Sequence, residues 1–177
     1  MQIKFCGAAR TVTGSSHLIT LDDGYKILLD CGLFQGSQAY IDEFNQQFLF
    51  DPKEIDCMVL SHAHIDHAGR IPKLVKEGFR GKIICTSATN DLSKIMLLDS
   101  AHIQEKDTEF HNKRRAKKGL PPLNPLYEAI DAERALSQFL SVKYEEWFPI
   151  REDVAVLIRD NGHILGSGSV TLKIKRT

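Results

Sequence analysis

The sequence contains no CxxC pair. Its four cysteines, Cys6, Cys31, Cys57 and Cys85, lie far apart, each in or beside an apolar run. That spacing argues against a zinc–cysteine site and reads as four buried, reduced thiols. There is no apolar run of about eighteen residues, so no membrane-spanning helix is expected and the membrane is not an expected partner. The first ten residues, MQIKFCGAAR, lack the long apolar stretch of a secretory signal, and the expected location is the cytoplasm. Net charge is absent too: 23 basic and 23 acidic residues cancel. The chain as a whole therefore exerts no general pull on nucleic acid, and any such binding must be local.

What is present reads as one globular domain. The chain has 177 residues, of which 42% are hydrophobic and 26% charged, enough to bury a core. Short apolar, partly β-branched stretches at 3–7, 16–21 and 25–30 read as strands, with Asp22-Asp23-Gly24 as the hairpin turn between the last two. A helix is expected over 38–49, a strand over 57–60, a helix over 67–78 with Pro72 in its first turns, and a strand over 82–86. Helices follow over 91–118 and 132–140, the second capped by Asp131. Strands at 154–158 and 169–174 flank the turn DNGHILGSG. Strand, helix, strand in succession predicts an α/β layer arrangement.

Seven histidines occur in the chain, and three of them fall in SHAHIDHAG at 61–69. His62, His64, Asp66 and His67 offer imidazole nitrogen and carboxylate oxygen, the ligands a zinc-type ion takes at about 2.0–2.2 Å. In extended backbone, side chains at i and i+2 point the same way, so His62 and His64 can converge on one ion. Asp66 and His67, at a turn into a helix, can face a second ion beside it. Two ions about 3.5–4 Å apart can activate a shared water and hold the oxygens of a phosphodiester in line. Manganese is the alternative to zinc for such a ligand set.

SHAHIDHAG closely resembles the HxHxDH signature of the metallo-β-lactamase superfamily. FCGAARTVTGSSHL near the start, LLDCGLFQG at 28–36, IMLLDSAHIQEKD at 95–107 and NGHILGSG at 161–168 resemble its β-CASP branch, which includes ribonuclease J and the endonuclease subunit of the mRNA 3′-end cleavage machinery. The resemblance implies that His62, His64 and His163 hold a first metal and that Asp66 and His67 hold a second, with Asp66 also orienting the metal-bound water as a catalytic residue. It implies that Asp30, in LLDCG, supports a ligating histidine by accepting its hydrogen bond. The implied fold is an αββα sandwich, here expected as part of one: mainly a single mixed sheet with flanking helices. The family pattern also has a later bridging aspartate, a last histidine and an inserted β-CASP domain. The expectation is therefore that residues 1–177 are the amino-terminal part of the domain, with the β-CASP domain and the second half of the fold absent, and that this fragment is weakly active or inactive. An exposed half-fold face would then favour a homo-oligomer.

The function so implied is a metal-dependent phosphodiester hydrolase, an RNA-processing nuclease that cuts through a metal-activated hydroxide at a dinuclear site. RNA is the expected partner and single-stranded DNA the alternative one; endonucleolytic and exonucleolytic action both fit. The competing readings are a hydrolase of the same superfamily acting on a thioester or lactam, and a non-catalytic metal-binding or assembly module. His17 reads as structural no less than functional. His102 and His111 read as surface positions, and HNKRRAKKG at 111–119 as a solvated helix end suited to the helix dipole.

Overall fold

The computed structural model describes residues 1–36 and 43–175. Six strands form one mixed sheet in spatial order β1 (Gln2–Gly7), β2 (Ser16–Thr20), β3 (Lys26–Leu29), β4 (Cys57–Val59), β5 (Lys82–Thr86) and β6 (Phe139–Val142). The first three are antiparallel and β3 to β6 are parallel. The β2–β3 hairpin closes at Asp22-Asp23-Gly24 as read, with Gly24 at φ 90° and the Asp23 carboxylate accepting from Tyr25 N at 3.1 Å.

Alternation in the central strands decides the layers. Leu28, Met58 and Ile83 stand in one cross-strand row and pack with the helices. Ile27, Cys57, Val59 and Ile84 face the other way, onto Val154, Val156 and Ile158. Those residues belong to β8 (Val154–Asp160), the middle of a three-stranded antiparallel sheet with β7 (Phe148–Arg151) and β9 (Gly168–Ile174). The mixed sheet with flanking helices is as expected, and a second, smaller sheet packs face to face on it. Being covered on both sides explains why β3, β4 and β5 read as continuous apolar runs. The smaller sheet does not cover β1: Ile3 and Phe5, paired with Ile19 and His17 on that same face, are 48% and 63% exposed.

The helices depart from the sequence reading in instructive ways. The helix expected over 38–49 lies partly outside the described residues; of the remainder, 43–46 are helical. The one expected over 67–78 is two: α1 (Ile65–Ala68) and α2 (Ile71–Lys76). The i→i−4 ladder breaks because its carbonyls are taken from outside. Asp66 O accepts from Ser15 N at 2.8 Å, and His67 O from Cys31 N at 2.7 Å. Helix α3 (Ser87–Ala116) starts four residues before the expected Asp91, since Thr86 both ends β5 and caps the helix, accepting from Thr89 N. Its buried residues, Thr89, Ser93, Leu97 and Ala101, recur every fourth position and then stop. Helix α4 (Ala129–Leu136) is capped by Glu128, not Asp131. Asp131 sits at N3 and closes a capping box with Glu128. Residues 139 and 140, expected in that helix, belong to β6.

All four cysteines are free and buried, as expected. Burial pushes the Cys31 and Cys85 thiols up to about 12 and Cys57 to about 11. A thiol held this far above neutrality is a poor nucleophile. Ellman's reagent at pH 8 is therefore expected to titrate less than one thiol per folded chain and all four in guanidinium chloride.

Candidate metal centre

The parallel strands deliver the chemistry at their carboxyl ends. Asp30 follows β3, Ser61 and His62 follow β4 after Leu60, and α1 begins three residues beyond His62. His64 is the residue preceding α1, still extended (φ −58°, ψ 145°), so His62 and His64 lie on one side of the chain.

His163 reaches them from the turn between β8 and β9. Its Nε2 stands 3.1 Å from His64 Nδ1. The rings of His62, His64 and His163 form a triangle with all three centroid separations at 4.9 Å and ring planes near perpendicular. One ring nitrogen from each lies within 4.8 Å of the other two, the only such set of three or more potential ligands among the described residues. A tetrahedral zinc ion with Zn–N near 2.0–2.1 Å holds its nitrogens roughly 3.3 Å apart, close to the spacing of the His64–His163 pair.

Hydrogen bonding decides which nitrogen of His62 is free. The Asp30 carboxylate accepts from Ser61 N at 2.8 Å and from Ser61 Oγ at 2.9 Å. Ser61 Oγ, its proton given to Asp30, accepts from His62 Nδ1–H at 2.9 Å. That leaves His62 Nε2 as a bare lone pair, buried and without any hydrogen-bond partner. An orphaned buried nitrogen costs about 1–3 kcal/mol unless something occupies it. A cation among three imidazoles is what this one fits. Burial, with the nearby His67 adding to it, lowers the His62 pKa to about 4, so the ring stays neutral and ligand-competent across the physiological range.

Asp66 and His67 lie beside this set. The His62 and His67 ring centroids are 4.0 Å apart, and His67 Nε2 is 3.7 Å from Asp66 Oδ2. His67 Nδ1–H donates to Asp30 Oδ2 at 2.8 Å, which turns Nε2 outward. Burial pulls the His67 pKa down, but the Asp30 hydrogen bond and charge, with Asp66, more than offset it, and the net shift is upward. Asp30 thus braces both halves of the cluster, from a left-handed backbone conformation (φ 58°) and at 4% exposure.

The structure brings together all six residues singled out in the sequence. His102 and His111 are exposed on α3. His17 stands at the margin, its Nε2 3.5 Å from Ser15 Oγ and its ring edge-on to Phe5. The basic run is engaged locally: Lys113 pairs with Glu109, Arg114 lies over Phe110, and Arg115 donates to Pro121 O.

Two supports carried no signal in the sequence. A Cβ on Gly32 would lie 1.6 Å from Asp66 O, so only glycine lets the loop after β3 press against α1. Arg70, 1% exposed, holds that loop: Nε donates to Gly32 O at 2.7 Å, and Nη1 to Phe44 O at 3.1 Å and Gln47 O at 3.3 Å. Its guanidinium lies between the rings of Phe34 and Phe48 at 4.9 and 4.8 Å.

The family model described as metallo-beta-lactamase superfamily matches residues 9–165. A Thermus thermophilus protein named Ribonuclease TTHA0252 is 38% identical over 170 residues, covering 96% of this chain and 34% of its own length. Proteins named Transcription termination factor FttA from Lokiarchaeum and Methanosarcina mazei are 32% and 30% identical, over 97% and 94% of this chain and 25% and 24% of theirs. The chain thus spans about a third or less of the length of these relatives. Among solved structures, a subclass B3 metallo-beta-lactamase from a soil metagenome library superimposes with a TM-score of 0.54 at 22% identity, over 98% of this chain and 55% of that one. That likeness speaks to the fold.

Proposed function

Because this chain belongs to the metallo-beta-lactamase superfamily, over residues 9–165, we propose that it is the metal-binding part of a phosphodiester hydrolase acting on RNA. The observation that carries the metal half of this reading is the orphaned Nε2 of His62 facing the His64–His163 pair. The RNA half is supported by the β-CASP-like motifs together with the relative named a ribonuclease.

In this reading His62, His64 and His163 hold the first ion, and Asp66 and His67 hold a second. Zinc suits the nitrogen-rich set, with manganese as the alternative. When bound, the metal supplies Lewis acidity, which makes water nucleophilic near neutral pH and offsets charge on phosphoryl oxygens. Ser61 and Asp30 keep His62 in the tautomer that offers Nε2, and Asp30 does the same for His67. Asp66, adjoining His67, accepts a hydrogen bond from a water entering the site and so orients it. The first set has three side chains and the second two, so one firmly held ion per chain is expected. The chain then supplies the amino-terminal part of a larger catalytic domain and turns over slowly by itself. Among the described residues no helix is long and apolar enough to cross a membrane, and a cytoplasmic setting fits an RNA substrate. The bare Ile3 and Phe5 face of β1 is the surface through which copies would self-associate.

The test is metal content by plasma mass spectrometry, followed by hydrolysis of bis-p-nitrophenyl phosphate and of end-labelled RNA with added zinc or manganese. Close to one ion per chain and slow, metal-dependent phosphodiester cleavage are expected. Hydrolysis of a thioester or of a chromogenic lactam in place of the phosphodiester would move the chain to another branch. RNA binding without cleavage, indifferent to metal, would make it a non-catalytic module.

A further inference from the structure

We propose that Thr89 is a positioning residue for His163, acting through the carbonyl of Gly166; this rests on the reading of His163 as a metal ligand. The imidazole of His163 is exposed, and its own backbone N–H is held only by the Asn161 carboxamide at 3.2 Å. Where it stands is therefore set by the buried end of its turn, Gly166 to Gly168. Gly168 N donates to Ser61 O at 3.0 Å, and Tyr144 Oη donates to Ser167 O at 2.8 Å.

The third anchor comes from the first turn of α3. Gly166 O accepts two hydroxyls at once, Thr86 Oγ1 at 2.7 Å and Thr89 Oγ1 at 2.8 Å. Both threonines are buried, at 4% and 0% exposure. The turn is pressed onto them: Gly166 has φ 86°, and a Cβ there would lie 2.4 Å from Thr89 N. Thr86 also caps α3, so its loss would disturb the helix itself. Thr89 spends its hydroxyl proton on Gly166 O, three residues from the ligand, and can be altered without touching the cap. A loop whose ligand is exposed gains its preorganisation from such anchors, and the groups that orient a metal ligand typically contribute about 10–100-fold to affinity.

Thr89→Val keeps the shape and removes the donor; Thr89→Ser keeps the donor. Zinc affinity is read by competition with a chromophoric chelator, alongside the melting temperature of each metal-free protein. Thr89→Val is expected to weaken zinc binding about 10-fold and Thr89→Ser to restore it. Combined with His163→Ala, Thr89→Val should add no further loss, since the anchor acts through that ligand alone. A lower metal-free melting temperature with parental zinc affinity in Thr89→Val, or an equal loss in the His163→Ala background, would overturn the proposal. Parental affinity in His163→Ala alone would remove the ligand reading of His163, and the positioning role with it.

Discussion

His62→Ala is expected to weaken zinc binding by more than about 100-fold, beyond what the loss of a group that merely orients a ligand costs. His62 is the buried member of the three-nitrogen set, and its removal leaves His64 and His163 as a two-ligand pair. The metal-free protein should hardly notice. Lost packing at the ring is offset by relief of the orphaned Nε2, so its stability is expected to change by under about 1 kcal/mol. Chelator competition and urea denaturation in EDTA separate the two effects. A variant that keeps parental zinc affinity would place the ion elsewhere.

The same substitution has a pH signature. His62 has its pKa lowered from 6.5 to about 4 in the folded chain. The unfolded state therefore takes up the proton first as pH falls, and the metal-free protein loses stability between pH 6.5 and about 4. His67, raised by Asp30, acts in the opposite sense: its contribution is full below its ordinary value and fades as pH rises through its folded value. His62→Ala should flatten the acid limb and leave the His67 limb in place.

Arg70→Met is expected to destabilise the fold by about 3–5 kcal/mol, because it strips the charged donor from three carbonyls and each buried acceptor left unmade costs roughly 1–3 kcal/mol. The guanidinium is the donor for the carbonyls of Gly32, Phe44 and Gln47, and methionine offers no donor. No carboxylate among the described residues pairs with it, so the hydrogen-bonded carbonyls and the two phenyl faces carry the stabilisation. Arg70→Lys should not rescue it, because an ammonium cannot reproduce the planar fork that spans several carbonyls. Urea denaturation gives the number; a loss under about 1 kcal/mol would mean that the loop is held by other contacts. Zinc affinity should fall as well, since the Gly32 loop abuts the carbonyl of Asp66.

How much of this was legible depends on whether the signal was local. His62, His64, Asp66 and His67 stood out because four ligand-type side chains crowd into six positions. His163, alone among glycines, was ambiguous by itself and gained meaning only from the family motif around it. Asp30 could be named as a support, but not as the single carboxylate that orients two histidines, since that depends on Ser61 relaying one of the bonds. Arg70 was invisible: an arginine at the head of an amphipathic helix reads as surface, and only the folded loop surrounds it. The same holds for the elements. Ser87 to Asn90 look like turn residues, yet Thr86 caps the helix directly out of β5. Strand β6 is four residues long and is a strand because β5, far back in the chain, pairs with it; β7 contains Pro149 and is a strand through its local hairpin with β8.

Helix α3 is continuous in its dihedral angles but divided in its free energy. Up to Ala101 it is bound into the sandwich, and Ser100 and Glu105 still reach Tyr127 and Ala129. Beyond that, its contacts are with its own return strand of chain: Asn112 clasps Leu123 by both N–H and C=O, 11 residues on, and Arg115 holds Pro121, 6 residues on. Such short closures cost little chain entropy and do not draw on the sandwich for their partners. The inner amides are expected to be released from protection only with global unfolding, and the outer ones to open as a local unit and exchange with solvent deuterium on a faster clock.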